Sequence, residues 1–464
     1  MNKLIFCLFF FVSVYTASAS ETDTLSFIKT KRMSDSDLEK KREGTFFTGI
    51  PDISSDPVTG FGVGVRGNIY WNGDRSNELF PYTPYLAKLK TNVAYFTTNA
   101  RELALSLDIP YYQGTRWRFK IDVKAQQNPA NQYFGLSEST LQDLQLITAN
   151  NGQSYSTFED FETARNTVRR GNNGEAPYVT DVLANQFRET EFMLNLKADY
   201  ALGDGSWRIM GGYEIQHLSY TTFEGTETDA VDSNGNTVKV PNGNSLLHRD
   251  FKEGRISGLS VDGGWVSILQ TALIYDTRDF EPDPTNGAYF EIANEYSGSA
   301  IGSQFNFNKL FIQGRYYQKI PIGPRTILAG RLGVGNIFGD EAPFFEFQDQ
   351  WSPDGSINAL GGRQSLRGYR ANRFLSRSMW FSNVELRARI LDFSALNQNF
   401  GIGIAPFVDF GTVRDHWEDL NLNQVKFSFG SGLRIAWNQS TILSLDYGVS
   451  AEDKLFFFGI GQAF

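Results

Sequence analysis

Residues 115–126 read TRWRFKIDVKAQ, with Trp117, Phe119, Ile121 and Val123 on one parity and Arg116, Arg118, Lys120, Asp122 and Lys124 on the other. Side chains of an extended chain alternate with period two, so this is a strand with one apolar face and one charged face. The pattern recurs. In RELALSLDI, Leu103, Leu105, Leu107 and Ile109 oppose Glu102, Ser106 and Asp108. In EFMLNLKADY, Phe192, Leu194, Leu196 and Ala198 oppose Glu191, Asn195, Lys197 and Asp199. GAYFEIANEY sets Phe290 and Ile292 against Glu291 and Glu295, and WFSNVELRARI sets Val384, Leu386, Ala388 and Ile390 against Asn383, Glu385, Arg387 and Arg389.

A secreted sandwich also alternates, but here strands long enough to cross a bilayer at a tilt recur along the whole chain. Open sheet edges cannot sit in lipid, so such a sheet must close. The predicted strands are 44–52, 59–71, 84–97, 100–110, 115–126, 188–202, 206–220, 265–278, 287–298, 304–321, 324–338, 378–391, 401–413, 424–437, 440–450 and 454–464. The first is interrupted by Pro51. The expected fold is all-β, a 16-stranded antiparallel transmembrane β-barrel, the even count required of single-chain bacterial barrels. Short turns such as 202–205 and 321–324 fall at one end. Most longer connections, 127–187, 221–264 and 339–377, fall at the other, and 72–83 is a longer turn on the short side. Short periplasmic turns and long external loops are the usual arrangement.

The N-terminus agrees. Lys3, the apolar run from Leu4 to Tyr15 and Ala17-Ser18-Ala19 have the layout of a secretory signal peptide, with an apolar run too short to span. Residues 1–19 are read as the signal peptide, 20–43 as a short, solvated periplasmic tether, and 44–464 as the barrel with loop 339–377 folded inward. SDSDLEKKREG (34–44) could make a short capped helix. The single cysteine, Cys7, lies in the leader, so disulfide and thiol chemistry are excluded from the mature chain. A net charge of -9 argues against nucleic acid as a partner. Phe456, Phe458, Ile460 and Phe464 share the parity expected to meet lipid, and the terminal aromatic Phe464 reads as an outer-membrane assembly signal.

ALGGRQSLRGYR (359–370) places Arg363, Arg367 and Arg370 among glycines. Cationic forks in a flexible loop gain from anionic partners. Glu385 and Asp409 are predicted to point into the lumen from adjacent downstream strands, and one guanidinium can serve two carboxylates.

Ser365-Leu366-Arg367-Gly368-Tyr369 resembles the sixth-loop signature of the BamA and TamA superfamily of outer-membrane assembly and translocation barrels. Glu385 and the stretch FVDFGTV (407–413) match the family's following glutamate and aspartate in order and spacing. YDTRDFEPDPTNGAYF (275–290) resembles its periplasmic turn, with Asp276, Arg278, Asp279 and Gly287, and GSGLRI and LDYG fit near the C-terminus. The resemblance covers about 46 to 464. It implies that Arg367, with Gly368 and Tyr369 beside it, pins the loop to the wall through Glu385 and Asp409. It also implies the outer membrane of a Gram-negative bacterium, outer-membrane lipid as surroundings and the assembly machinery as the route of insertion. Periplasmic docking domains carried by protein-folding members are not expected here, so the chain is read as a barrel-only member.

No cofactor, metal or enzymatic activity is predicted. His217, His248 and His416 fall at a strand end or in loops without a motif that would make a catalytic set. Asp232, Asn234 and Asn236 have calcium-loop spacing, but Thr237 and Gly243 stand where that loop needs Gly and Glu. The expected function is insertion or translocation of a protein at the outer membrane with a periplasmic partner or client. A passive channel and a structural, surface-binding barrel are the alternatives. Loops 127–187 and 221–264 could bind a surface partner or cap the barrel.

Overall fold

Sixteen strands run in one antiparallel sheet in strict chain order. They are β1 (Thr45–Asp56), β2 (Gly60–Trp71), β3 (Ala87–Phe96), β4 (Arg101–Ile109), β5 (Trp117–Gln132), β6 (Gln186–Leu202), β7 (Trp207–Thr222) and β8 (Gly264–Asp276). They continue as β9 (Gly287–Ser297), β10 (Phe307–Ile320), β11 (Thr326–Phe338), β12 (Ser378–Ala395), β13 (Gln398–Arg414), β14 (Lys426–Trp437), β15 (Thr441–Ser450) and β16 (Lys454–Ile460). This computed structural model describes residues 25–56, 60–97, 100–147, 153–172, 174–256, 262–323, 325–396, 398–438 and 441–464. The predicted leader 1–19, with Cys7, lies outside the described residues, as does Pro324 of the predicted 321–324 turn. Among the described residues no helix is long and apolar enough to cross a membrane.

The burial pattern is inverted relative to a soluble fold. Trp117, Phe119, Ile121, Leu196, Leu332, Phe429 and Leu445 are exposed, while Arg118, Asp199, Glu291, Arg331, Glu385 and Asp409 are buried. An apolar exterior over a polar interior is what alternation produces when the outside solvent is lipid.

Four strand ends depart from the sequence reading by four residues or more: β1 runs through Pro51 to Asp56 and β12 to Ala395, and β5 and β16 differ as well. β5 runs six residues further, to Gln132, because its tail pairs with β6 past a register shift between Phe187 and Glu189. A bulge leaves residues unpaired, which accommodates Pro129 without a lost ladder bond. β16 is shorter than expected. It stops at Ile460, where Gly461 takes φ +101°, and the chain turns into the lumen. Phe464 therefore does not lie on the lipid face with Phe456 and Phe458. Its ring is buried against Tyr317, Ile327 and Ala329, between the guanidiniums of Arg331 and Arg387 at 4.8 and 4.9 Å. Arg387 Nη2 also donates to the Phe464 oxygen at 2.8 Å. Cation–π contacts and a charged donor hold the tail inside.

The short β16 leaves β1 facing β15 near the short-turn end. There the sheet's two ends meet through side chains: Thr48 Oγ1 and the Tyr70 hydroxyl lie 2.7 and 2.8 Å from Thr441 Oγ1. Among the described residues no ladder joins β1 to β16.

The segment before β1 is packed, not solvated. Leu25, Phe27 and Ile28 are buried with Leu79, Tyr111 and Ala201. Phe27 meets Tyr111 edge-on at 5.5 Å and lies under the Arg116 guanidinium. Gly205 (φ +86°) lets the chain pass: a Cβ there would sit 2.5 Å from the Phe27 carbonyl oxygen. A tether with three apolar side chains lowers its free energy by covering the rim rather than by hydration. The expected helix follows as α1 (Asp35–Lys40), capped by Ser34 Oγ accepting from the Asp37 amide. The long turn 72–86 receives this segment, through Lys41 Nζ donating to the carbonyls of Phe80 and Thr83.

At the opposite end the long loops form a cap. It holds α2 (Phe158–Arg165) and α3 (Leu246–Lys252) with small hairpins at 168–180 and 227–241. Asp232, rejected as a calcium ligand, accepts the backbone amides of Asn234 and Asn236 and closes the second hairpin. Beneath the cap lies a core that alternation alone did not disclose. Phe344, Phe345, Phe347, Trp351, Leu360 and Phe374 of the inward loop pack on Tyr133, Phe187 and Tyr220 of the wall and cap. The outer half of the lumen therefore holds an aromatic core beside its charged groups.

Candidate functional site: an ionic lock and its reach through the lumen

Loop 339–377 enters the lumen between β11 and β12, and its arginine lies fully buried against the wall. Arg367 Nε and Nη2 donate to the two oxygens of Asp409, each at 2.8 Å, and the Arg367 amide donates to Asp409 Oδ2 at 3.1 Å. Nη1 donates to Glu385 Oε1 at 2.5 Å, and the guanidinium lies 3.4 Å from the Phe407 ring centroid. The contact is thus bidentate on one carboxylate and single on another, with an aromatic floor.

Two glycines let the loop lie directly on β15. Gly368 has φ +93°, and a Cβ there would sit 2.9 Å from the Val449 carbonyl carbon. A Cβ on Gly448 would sit 2.6 Å from the Gly368 nitrogen. Ser450 Oγ then donates to the Gly368 oxygen at 2.7 Å. Tyr369 packs edge-on against Phe374 at 5.1 Å, joining the lock to the lumenal core.

The charged set is larger than the predicted trio. Arg387 donates to Glu385 Oε2 at 2.8 Å, and Arg434 lies 2.8 Å from Asp446 and 3.5 Å from Glu385. Arg367 Nη1 is itself 3.6 Å from Asp446. Asn383 bridges Asp409 Oδ1 and the Ser365 carbonyl, both at 2.8 Å. Three guanidiniums (Arg367, Arg387, Arg434) thus face three carboxylates (Glu385, Asp409, Asp446), and Arg363, which donates to Ser444 Oγ at 2.8 Å, lies beside the same set. Arg434 and Asp446 sit within GSGLRI and LDYG, whose alternation alone assigns them no role.

The turn residues occupy the other end of the same lumen. Asp276 is buried and accepts from the amide and Nε of Arg278, each at 3.0 Å. Arg278 Nη1 donates to Asp354 Oδ2 at 3.1 Å, and Arg315 Nη1 donates to the same oxygen at 2.6 Å. Asp354 belongs to loop 339–377, so that loop runs from the outer cap to the short-turn end. Lys31, from the segment before β1, reaches Asp276 at 3.4 Å. Asp279 does not join this cluster. It accepts from the Phe280, Thr285 and Asn286 amides and shapes the turn, and Gly287 (φ +108°) lets the backbone cross Thr277.

The histidines lie apart. His217 meets Trp265 on the wall with the rings tilted by 59°, and His248 Nδ1 lies 2.9 Å from Glu224 in the cap. His416 precedes a short turn in the loop after β13.

Residues 23–86 match a domain described as of unknown function (DUF5982), and residues 86–464 match the Omp85 superfamily domain. Among solved structures, BamA from Haemophilus ducreyi lacking POTRA domains 1–3 is similar at 14% identity and TM-score 0.49, covering 90% of this chain and 70% of that one. CdiB from Acinetobacter baumannii is similar at 11% identity and TM-score 0.44, covering 91% of this chain and 60% of that one. CdiB from Escherichia coli stands at 10% and 0.45, covering 89% and 59%, so the chain spans under two thirds of either CdiB. No curated protein matches the sequence. With the superfamily domain spanning the barrel from β3 to its last residue, the chain belongs to the Omp85 superfamily of Gram-negative outer-membrane β-barrels.

Proposed function

We propose that this barrel inserts or translocates a protein at the outer membrane, using the junction between its first and last strands. The observation that carries the reading is that junction. β16 is seven residues long, its continuation folds into the lumen, and β1 meets β15 through the hydroxyls of Thr48, Tyr70 and Thr441. A sheet edge held by side chains can accept a strand from another chain, because its backbone groups gain ladder bonds when one pairs. The lock sits beside this junction. Arg367, Arg387 and Arg434 fix β12 to β15 as a rigid wall while the junction gives way. A passive channel is favoured less, because the aromatic packing of loop 339–377 and the segment at the short-turn end both occupy the water path.

The test uses the mature chain, whose described residues contain no cysteine. Thr48→Cys combined with Thr441→Cys places two thiols where hydroxyls now touch. Membranes from cells carrying the reduced and oxidised forms are solubilised, and the proteins bound to each barrel are identified. Clients held by the reduced barrel and absent from the oxidised one support the reading. Equal recovery from both forms, or large steady conductance with no bound protein, would count against it.

A further inference from the structure

The inner half of the lumen holds a cavity of about 460 Å³. Its walls come from β2 to β6, from residues 353–364 of the inward loop, and from the tail after β16. The volume falls in the range of small-molecule sites, roughly 300–1,000 Å³. Among the described residues, nine cationic side chains line it against four carboxylates. Those carboxylates are already engaged. Asp108 and Glu281 accept from Arg118, Asp122 pairs with Lys197, and Asp354 accepts from Arg278 and Arg315.

Five cations remain without a carboxylate: Lys88, Lys90, Lys120, Arg331 and Arg363. Arg331 is held by neutral groups, Asn383 and the Gln364 carbonyl, between the rings of Phe381 and Phe464. Lys120 Nζ donates to the Pro353 carbonyl at 2.6 Å. Arg363 reaches Ser444 Oγ and the Gly461 carbonyl through Nη2 alone, and Gly459 leaves room for its guanidinium. Lys88 lies 4.7 Å from the Tyr85 ring centroid, and neither it nor Lys90 makes a hydrogen bond or ion pair among the described residues. Both lie on the inward parity of β3, opposite Val93 and Tyr95 of its lipid face. Lys90 is exposed and Lys88 half-buried, and both line the cavity, so their free surface opens onto it.

The free groups select the ligand class. Ammonium and guanidinium donate hydrogen bonds and accept none. A neutral ligand would leave their charges uncompensated, and a single carboxylate would offset one of them. A compact group of phosphates or carboxylates brings several acceptor oxygens and several charges together, which both lysines and an arginine fork can meet. Length is limited from the other side. Ser356, Ile357 and Gln364 also line the next space outward, where Glu189, Glu191, Glu214, Glu295, Glu346 and Asp349 outnumber Lys124. An extended polyanion would run into those carboxylates, so the basic cavity suits a short one.

We propose that the inner lumen binds a compact polyvalent anion, held by Lys88 and Lys90 of β3, Lys120 of β5 and Arg363 of the inward loop. Its charge has two sources: phosphate, as in a diphosphate, or carboxylate, as in a tricarboxylate. Bound there, the anion ties β3 to loop 339–377 through two lysines that otherwise reach no acceptor. The site stands independently of the translocation reading, since none of these four residues belongs to the β1–β15 junction.

The purified full-length barrel in detergent, at neutral pH and low ionic strength, is titrated calorimetrically with pyrophosphate, citrate and acetate. Pyrophosphate or citrate is expected to bind about tenfold or more tighter than acetate, and to weaken as salt is added. Pyrophosphate alone assigns phosphate, citrate alone assigns carboxylate, and both together assign charge without a preference of shape; each supports the site. Lys88→Gln combined with Lys90→Gln is expected to weaken the polyanion about tenfold or more, and Lys90→Arg to keep most of the affinity. Neither lysine pairs with a carboxylate, so the probe-free double variant should keep the wild-type melting profile in heat-modifiable gels. The polyanion should raise the melting temperature of the wild type and leave that of the double variant unchanged. Lys120→Gln tests the same site from β5 should the double variant fail to fold. Phe27→Ala with Ile28→Ala opens the inner end should the segment before β1 block entry. The proposal is overturned if neither polyanion binds the wild type or this opened barrel at millimolar concentration, if acetate binds as tightly, or if the folded lysine variants keep wild-type affinity.

Discussion

Two segments fold against the lumen from opposite ends, and a cation in each, Arg367 and Lys31, ties it in a different way. Arg367 is fully buried, donates to two carboxylates at 2.5–2.8 Å through three nitrogens, and rests on Phe407. Lys31 retains some exposure and makes one ion pair, at 3.4 Å, with a carboxylate that Arg278 already satisfies. Taking away one partner of a buried, saturated network leaves charges stranded in low dielectric. Taking away a redundant partner does not. The outer closure therefore behaves as part of the wall, and the inner one as a plug held mainly by Leu25, Phe27 and Ile28.

The largest expected effect breaks the outer pin. Arg367→Ala leaves Asp409 with Asn383 as its side-chain donor, while Glu385 keeps Arg387 and Arg434; the stranded Asp409 sets a cost of about 3–5 kcal/mol. The heat-modifiable form in gels should unfold at clearly lower temperature, and a wild-type melting profile would refute the pinning role. Asp409→Asn keeps the shape but removes one charge, so the loss should be smaller, about 1.5–3 kcal/mol, the range for hydrogen bonds to charged groups. The same melting assay ranks it between Arg367→Ala and wild type.

At the inner end the expected sign is a change of permeability without collapse. Phe27→Ala with Ile28→Ala removes the buried apolar contacts, and planar-bilayer recordings should show more frequent openings with little change in melting. Lys31→Ala should cost about 1 kcal/mol or less, because Arg278 and Arg208 still face Asp276. If Lys31→Ala destabilised the barrel as much as Arg367→Ala, the distinction between wall and plug would fall.

The smallest effect is a pH response of the cap. Arg169 bridges Glu175 and Asp181, and Asn244 of the next loop donates its amide to Glu175. The Arg169 hydrogen bond, with these amides, holds the Glu175 carboxyl down at about 2, against an ordinary 4.5. A depressed carboxylate contributes stability above its unfolded value and loses it as pH falls toward the folded one. Limited proteolysis should find the 168–180 hairpin more labile between about pH 4.5 and 2, while the barrel itself stays intact.

The wall was legible because lipid enforces a strict parity, so the strand boundaries follow the alternation to within a few residues. Arg367, Glu385 and Asp409 stood out because a glycine-framed arginine preceded inward carboxylates on neighbouring strands. Arg434 and Asp446 did not, since an inward charge on a strand reads like any other lumen residue until its cross-barrel neighbour is known. Leu25, Phe27 and Ile28 were hidden in a stretch too short to show a period. Phe464 leaves the lipid parity because the positive φ of Gly461 breaks period two, and no residue type in the tail signals that turn. The aromatic core was missed because Phe344, Phe345, Phe347 and Trp351 lie in a loop, where no parity tells inside from outside.

Loop 339–377 is anchored twice, at Arg367 in the outer half and at Asp354 near the inner rim. Between these points it also ties to Lys120 of β5, Arg331 of β11 and Ser444 of β15. Mechanically it is a brace across the cylinder: it resists a change of girth wherever its ties land and leaves compliance where they do not. The described ties to the brace fall on β5, β7, the turn after β8, β10 to β13, β15, the turn after it and the tail beyond β16. Deformation of the tube is thereby steered into the quarter formed by β1 to β4, so a membrane pressing on it would find one soft side.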